Sequence, residues 1–176
     1  MMPTPSTRPP ALVCSAFASA AELDTIREVV ATVTTWRVLR SRYRYYEIKI
    51  GAVSALAALE ARAYQQLQPA PNDEVNSFLL DYSDGHHIEE HVDSNSLQRL
   101  NLLVVASQPP GGLFRVCGQP IALQPGDAVV FEPATMPHSV DPVVARRVIW
   151  SYGIVRRAAQ RRMLLPLSTK VAVAVD

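Results

Sequence analysis

Net charge, cysteine and long apolar runs are all scarce in this chain of 176 residues. Lys plus Arg number 17 against 16 Asp plus Glu. So even a balance gives no global pull toward nucleic acid or a membrane surface. The two cysteines, Cys14 and Cys117, cannot build a disulfide framework, and the expected setting is reducing and cytoplasmic. No apolar run approaches the roughly 18 residues of a spanning helix. The stretch 163–175 is interrupted by Pro166, Ser168, Thr169 and Lys170. Arg8, the apolar stretch 11–17 and Ala18-Ser19-Ala20 imitate a secretory signal, but Pro9 and Pro10 interrupt its start. A first strand running into a first helix is the better reading. No repeat of about 30 residues is visible, which excludes solenoid architectures.

What is present is ordinary globular composition: 48% apolar and 19% charged residues. The length suits a single domain over 1–176. Within it we expect a loose tail over 1–10, helical support over 11–74 and a jelly roll over 75–157. Ser19-Ala20-Ala21-Glu22 fits a capping box, and Leu23, Ile26 and Val30 follow at helical spacing. The spacing predicts a helix over 20–32. A second helix is expected over 52–67, where Leu56, Leu59, Ala63 and Leu67 share a face. After residue 75 the period shortens. Strands are expected at 78–82, 87–92, 100–106, 113–116, 120–123, 128–131, 138–143 and 148–154, separated by turns such as Pro125-Gly126-Asp127. The fold class is mainly β with N-terminal helices (α+β), closing as a jelly roll or cupin-like barrel.

The chain has four histidines, and three of them, His86, His87 and His91, fall within six residues. On a strand, residues i and i+2 share a face, so His91 and Asp93 can offer an imidazole and a carboxylate to one metal. His138, 45 residues after Asp93, can complete two histidines and one carboxylate from a distant strand. Such a face leaves coordination positions open, as in non-haem Fe(II) oxygenases.

The ordered set Tyr82, His91-x-Asp93, Arg99, Gly111-Gly112, Gly126, Phe131, His138-x-Val140-x-Pro142-Val143 and Arg147 resembles the catalytic core of the Fe(II)/2-oxoglutarate-dependent dioxygenase superfamily. Its prolyl-hydroxylase-like branch is the nearest in pattern. The resemblance runs from about residue 78 to 154. It implies a double-stranded β-helix in which His91, Asp93 and His138 are catalytic ligands of Fe(II). It also implies that Arg147 pairs with the distal carboxylate of 2-oxoglutarate, with Arg146 a competitor. Tyr82 would add a hydroxyl to that carboxylate, Phe114 would supply an apolar wall, and O2 would be the third cofactor. The implied activity is hydroxylation of an unactivated C–H of an amino acid, a peptidyl side chain or a small natural product, with release of succinate and CO2. Related halogenases carry a small residue where this chain has Asp93, so the carboxylate argues against halogenation. Two departures from relatives stand out. Val104-Val105-Ala106-Ser107 replaces a tyrosine and asparagine at the end of the apolar strand. Ile149 stands where a Ser or Thr follows the arginine by two residues.

Other readings of the same residues are available. Residues 125–138 resemble the second cupin motif, so a cupin-like metal protein that does not use 2-oxoglutarate is the alternative. His87-Ile88-Glu89-Glu90-His91 matches the H-x-x-E-H peptidase pattern, which requires a helix. His86 and His87 are strand-edge or substrate-facing residues, and Glu89 and Glu90 are expected in solvent. The stretch 36–49 interleaves Trp36, Tyr43, Tyr45 and Tyr46 with Arg37, Arg40, Arg42, Arg44 and Lys49. Against Glu47 alone its formal charge is +4. We expect it to shape the entrance of the site and to favour an anionic small-molecule or peptidyl substrate, not nucleic acid. The basic cluster Arg156, Arg157, Arg161 and Arg162 is expected on a solvated C-terminal segment. No membrane partner is expected, and the oligomeric state is not readable.

Overall fold

The computed structural model describes residues 11–39, 42–93, 98–108 and 111–155. The tail 1–10, Arg40 and the cluster Arg156, Arg157, Arg161 and Arg162 lie outside them.

Ser19 caps the first helix, α1 (Ala20–Thr32), where the capping box places it. The Ser19 Oγ accepts from the Glu22 amide at 3.3 Å, and the Ser19 amide donates to Glu22 Oε2 at 2.8 Å. The second helix begins as one 3-10 turn over Ser54–Leu56 and becomes α2 (Ala57–Leu67). Its start is later than the periodicity suggests because Gly51, at φ +76°, turns the chain. The Gly51 amide donates to Glu60 Oε2 at 3.0 Å, tying that turn to α2.

Among the described residues, eleven strands form two sheets. The larger contains β1 (Leu12–Cys14), β2 (Arg37–Leu39), β3 (Tyr43–Ile48), β4 (Glu74–Tyr82), β6 (Gln98–Ser107), β9 (Ala128–Phe131) and β11 (Arg147–Val155), in the order β1-β9-β6-β11-β4-β3-β2. The smaller contains β5 (Ile88–His91), β7 (Phe114–Val116), β8 (Gln119–Ile121) and β10 (His138–Val140), in the order β5-β10-β7-β8. Every pairing is antiparallel. Two facing antiparallel sheets with helical backing make the double-stranded β-helix. Residues 11–74 are thus more than helical support, since β1, β2 and β3 extend the larger sheet at both edges. Strand 138–143 stops at Val140. Asp141 turns out to bond Arg115, and Pro142 has no amide to continue a ladder.

The larger sheet has two occupied faces, and strand alternation divides them. Leu23, Ile26 and Val30 of α1 and Leu59, Ala63 and Leu67 of α2 pack on Leu79, Leu102, Val104, Trp150, Tyr152 and Ile154. The opposite face meets the smaller sheet around Val105, Phe114, Val116, Val129, Phe131, Val140 and Ile149. All nine residues of β11 are buried. One set, Val148, Trp150 and Tyr152, belongs to the helix side. The alternate set, Arg147, Ile149 and Ser151, lines a cavity between the sheets. Cys14 and Cys117 are free thiols.

Candidate active site

The cavity holds about 380 Å³ and is walled by residues of β2, β3, β4, β5, β6, β7, β9, β10 and β11. His91, Asp93 and His138 meet in it, and their ligand atoms all lie within 4.8 Å of one another. The His91 and His138 rings are 4.4 Å apart, because the two residues are directly paired across β5 and β10. His91 Nε2 is 3.2 Å from Asp93 Oδ1. Asp93 lies just past the end of β5, where its amide donates to the Pro133 carbonyl at 2.8 Å.

Each imidazole is oriented by its own backbone. His91 Nδ1 donates to the Glu89 carbonyl at 2.8 Å, and His138 Nδ1 donates to the Met136 carbonyl at 3.0 Å. Those bonds fix the tautomer and leave both Nε2 lone pairs available, as metal-ligating histidines require. Phe131 packs its ring edge-on to His138 at 5.0 Å. Burial pushes the His138 imidazole below its ordinary pKa, favouring the neutral form that can bind a metal. Two imidazoles and a carboxylate, with free space beside them, suit a divalent first-row metal.

A bulge makes this geometry possible. His138 pairs with His91 but Val140 pairs with Ile88, so two steps on β10 span three on β5. The extra residue at Glu89-Glu90 lets both Ile88 and His91 line the cavity, although strict alternation would oppose them. Glu89 and Glu90 are exposed. The same strand removes the H-x-x-E-H reading, which needs a helix. His86 and His87 do not line the cavity. His86 Nδ1 accepts from the Ser83 amide at 3.1 Å, and His87 Nδ1 donates to the Gly85 carbonyl at 3.2 Å. Both serve the turn before β5.

Arg147 begins β11 directly opposite Tyr82, the last residue of β4. It is 2% exposed and lines the cavity. Its Nε donates to Gln108 Oε1 at 2.9 Å, and no carboxylate among the described residues pairs with it. Burial pulls its pKa below the usual guanidinium value. A desolvated cation without an anion calls for an anionic ligand. Tyr82 lies beside it, with the Arg147 Cζ 5.5 Å from its ring centre. Burial drives the Tyr82 phenol pKa up, so the hydroxyl remains a donor. Arg146, one residue earlier, points away from the cavity and bonds Asp81 through Nε at 2.7 Å. The competition between the two arginines for a place in the cavity is decided by strand alternation.

Gly112 gives Arg147 its room. A Cβ there would come within 2.9 Å of Val143 Cγ2 and 3.4 Å of Arg147 Cδ, and its φ is +62°. Phe114 is buried against Phe131, with ring centres 5.2 Å apart, and forms part of the cavity wall.

The Arg/Tyr-rich stretch divides by strand alternation. Tyr43 and Tyr45 line the cavity, and Tyr43 stacks 5.2 Å from Tyr82. Arg44 faces the other way, where it bonds Asp81 at 2.7 Å and covers the Trp36 ring at 4.6 Å. Arg44 is therefore a structural cation and not an entrance residue. Arg42, in the turn before β3, does line the cavity. Asn101 and Ser151 also line it and were not anticipated from sequence. Their signal is a lone polar residue within an apolar run, on β6 and β11 respectively.

Residues 77–154 match the sequence model of the 2OG-Fe(II) oxygenase superfamily. No curated protein matches the chain. Among solved structures, it is similar to the viral collagen prolyl hydroxylase of Paramecium Bursaria Chlorella virus-1 in complex with 2OG. That pair has TM-score 0.69 and 14% identity, over 84% of this chain and 96% of that one. It is also similar to a Pseudomonas putida prolyl-4-hydroxylase, with TM-score 0.65 and 20% identity over 85% and 94% of the two chains. A third similar structure is HygX from Streptomyces hygroscopicus with nickel and 2-oxoglutarate bound, with TM-score 0.67 and 13% identity over 84% and 83%. The matched segment, residues 77–154, holds the whole metal-ligand cluster and Arg147, and the three solved structures share the fold of this chain.

Proposed function

We propose that this chain is an Fe(II)- and 2-oxoglutarate-dependent oxygenase that hydroxylates an unactivated C–H of an amino acid, a peptidyl side chain or a small natural product. The observation that carries this reading is one cavity lined by both a two-histidine, one-carboxylate cluster and a buried guanidinium without an anion. His91, Asp93 and His138 would hold Fe(II), and Arg147 with the Tyr82 hydroxyl would hold the distal carboxylate of 2-oxoglutarate. Together the three cofactors supply an oxidant for C–H bonds, with succinate and CO2 released.

The protein's own contribution is placement and exclusion. The Nδ1 bonds to backbone carbonyls hold both imidazoles in the metal-binding tautomer. With the metal bound, the carboxylate of Asp93 would take a coordination position, which would favour oxygen insertion over halogenation. Phe114, Phe131 and Ile149 keep water from the inner wall, where a dry setting strengthens the Arg147–carboxylate pair. Tyr45 and Phe78, with ring centres 6.1 Å apart, offer an apolar surface on the β3–β4 side of the same cavity. A substrate's carbon skeleton can lie there.

Oxygen consumption that requires both Fe(II) and 2-oxoglutarate, with equivalent succinate formed, tests the reading. His91→Ala and Asp93→Ala should reduce it to background. Full consumption in either variant would refute the assigned ligand set.

A further inference from the structure

We propose that Arg42 selects the substrate and that the substrate carries a carboxylate held by this guanidinium. The inference rests on the oxygenase reading and deepens it. Arg42 lies in the turn between β2 and β3, held by its own amide donating to the Leu39 carbonyl at 3.1 Å. It is half-buried and lines the cavity. Among the described residues, the arginine–carboxylate pairs engage Arg27, Arg44, Arg62, Arg115 and Arg146. The Arg42 side chain has no such partner. Among the described residues, the other basic members of its stretch are used elsewhere: Arg44 is committed to Asp81, and Arg37 and Lys49 line a second groove.

Charge balance supports the assignment. With a divalent metal, the 2-oxoglutarate dianion, the Asp93 carboxylate and the Arg147 guanidinium in place, the formal charges cancel. Arg42 then remains as the one uncompensated charge of the described lining. Asp93 is the only carboxylate of that lining, and it already faces His91. The neighbours of Arg42 in the wall, Leu39, Tyr43 and Tyr45, are apolar or aromatic. A guanidinium half-withdrawn from water beside such rings binds a carboxylate through two parallel charge-assisted bonds. A neutral amide of the same shape offers it far less. The site therefore discriminates a free acid from its amide, and the carbon skeleton of the acid rests on Tyr45 and Phe78.

The test uses Zn(II)-substituted full-length protein saturated with 2-oxoglutarate, so that Arg147 is occupied. Ligand-observed NMR then compares phenylacetate with phenylacetamide on wild type, Arg42→Met and Arg42→Lys. We expect the acid to bind wild type at least about tenfold more tightly than the amide, the scale of a charge-assisted hydrogen bond. That preference should vanish in Arg42→Met and return in part in Arg42→Lys. Zn(II)-dependent 2-oxoglutarate binding by each variant reports that its fold persists. No acid preference in wild type, no acid binding, or a preference that survives Arg42→Met overturns the inference while leaving the oxygenase reading intact. Absence of Zn(II)-dependent 2-oxoglutarate binding in wild type removes the oxygenase reading itself, and this inference with it.

Discussion

Arg147 and Arg146 are sequence neighbours whose guanidinium groups serve opposite faces of one sheet. Arg147 lines the cavity with no anionic partner among the described residues, whereas Arg146 holds the buried carboxylate of Asp81. The two should fail differently. Arg147→Ala should weaken apparent 2-oxoglutarate affinity by about 10- to 100-fold, as expected for loss of a charge-assisted bond worth about 1.5–3 kcal/mol. Arg146→Ala should leave that affinity within about twofold and lower stability by about 1–3 kcal/mol, because Asp81 loses one of two partners. Co-substrate titration and urea denaturation of both variants separate the effects.

Gly112 should tolerate no side chain. At φ +62° and with Val143 Cγ2 2.9 Å from a would-be Cβ, Gly112→Ala combines backbone strain with a clash against the Val143 side chain. We expect a loss of about 1–3 kcal/mol by urea denaturation. The 2-oxoglutarate KM should also rise, since Arg147 Cδ is the next atom displaced. Gly51→Ala is the control. Its φ of +76° is similar but its surroundings are open, so it should show the strain without the change in KM.

Stability should fall on the acid side partly through Glu22. Burial alone would raise its pKa, but hydrogen bonds from Arg62 and Ser19 outweigh burial and hold it below the ordinary carboxylate value. Arg62 contacts it at 2.6 Å. A depressed folded pKa gives stability that is full above the unfolded value, about 4.3, and lost as pH falls through the folded value. Glu22→Gln should therefore cost about 1 kcal/mol at pH 7. The gap to wild type should close progressively below about pH 4. Thermal or urea unfolding across pH 3–7 checks the sign, and a gap that widens toward acid would contradict it.

Much of this arrangement is local and therefore legible in sequence. The Ser19–Glu22 capping box depends on four adjacent residues, and α1 runs over 20–32 as the periodicity predicts. The eight strands after residue 75 follow from alternation and turn residues. His91, Asp93 and His138 stand out because histidine is rare and the spacing suits one metal. What sequence hides depends on distant partners. β1 is a strand of the larger sheet only because β9, more than a hundred residues later, supplies its ladder. The role of Arg44 is settled by Asp81, 37 residues away. The Glu89-Glu90 bulge is defined by the spacing on β10, so strict alternation on β5 misplaces Ile88. Asn101 and Ser151 escape notice because a single polar residue in an apolar strand acquires meaning only when the cavity beside it is seen.

The central claim is that His91, Asp93 and His138 hold the metal that 2-oxoglutarate then chelates beside Arg147. Anaerobic titration of Fe(II)-loaded protein with 2-oxoglutarate tests it most directly, by following the weak visible charge-transfer band of the chelate. The expected result is a saturable band in wild type, its loss in His138→Ala, and its retention in Arg147→Ala with the midpoint moved about 10- to 100-fold higher. A metal-replete wild-type protein that shows no band, or a His138→Ala variant that keeps it, would contradict the account.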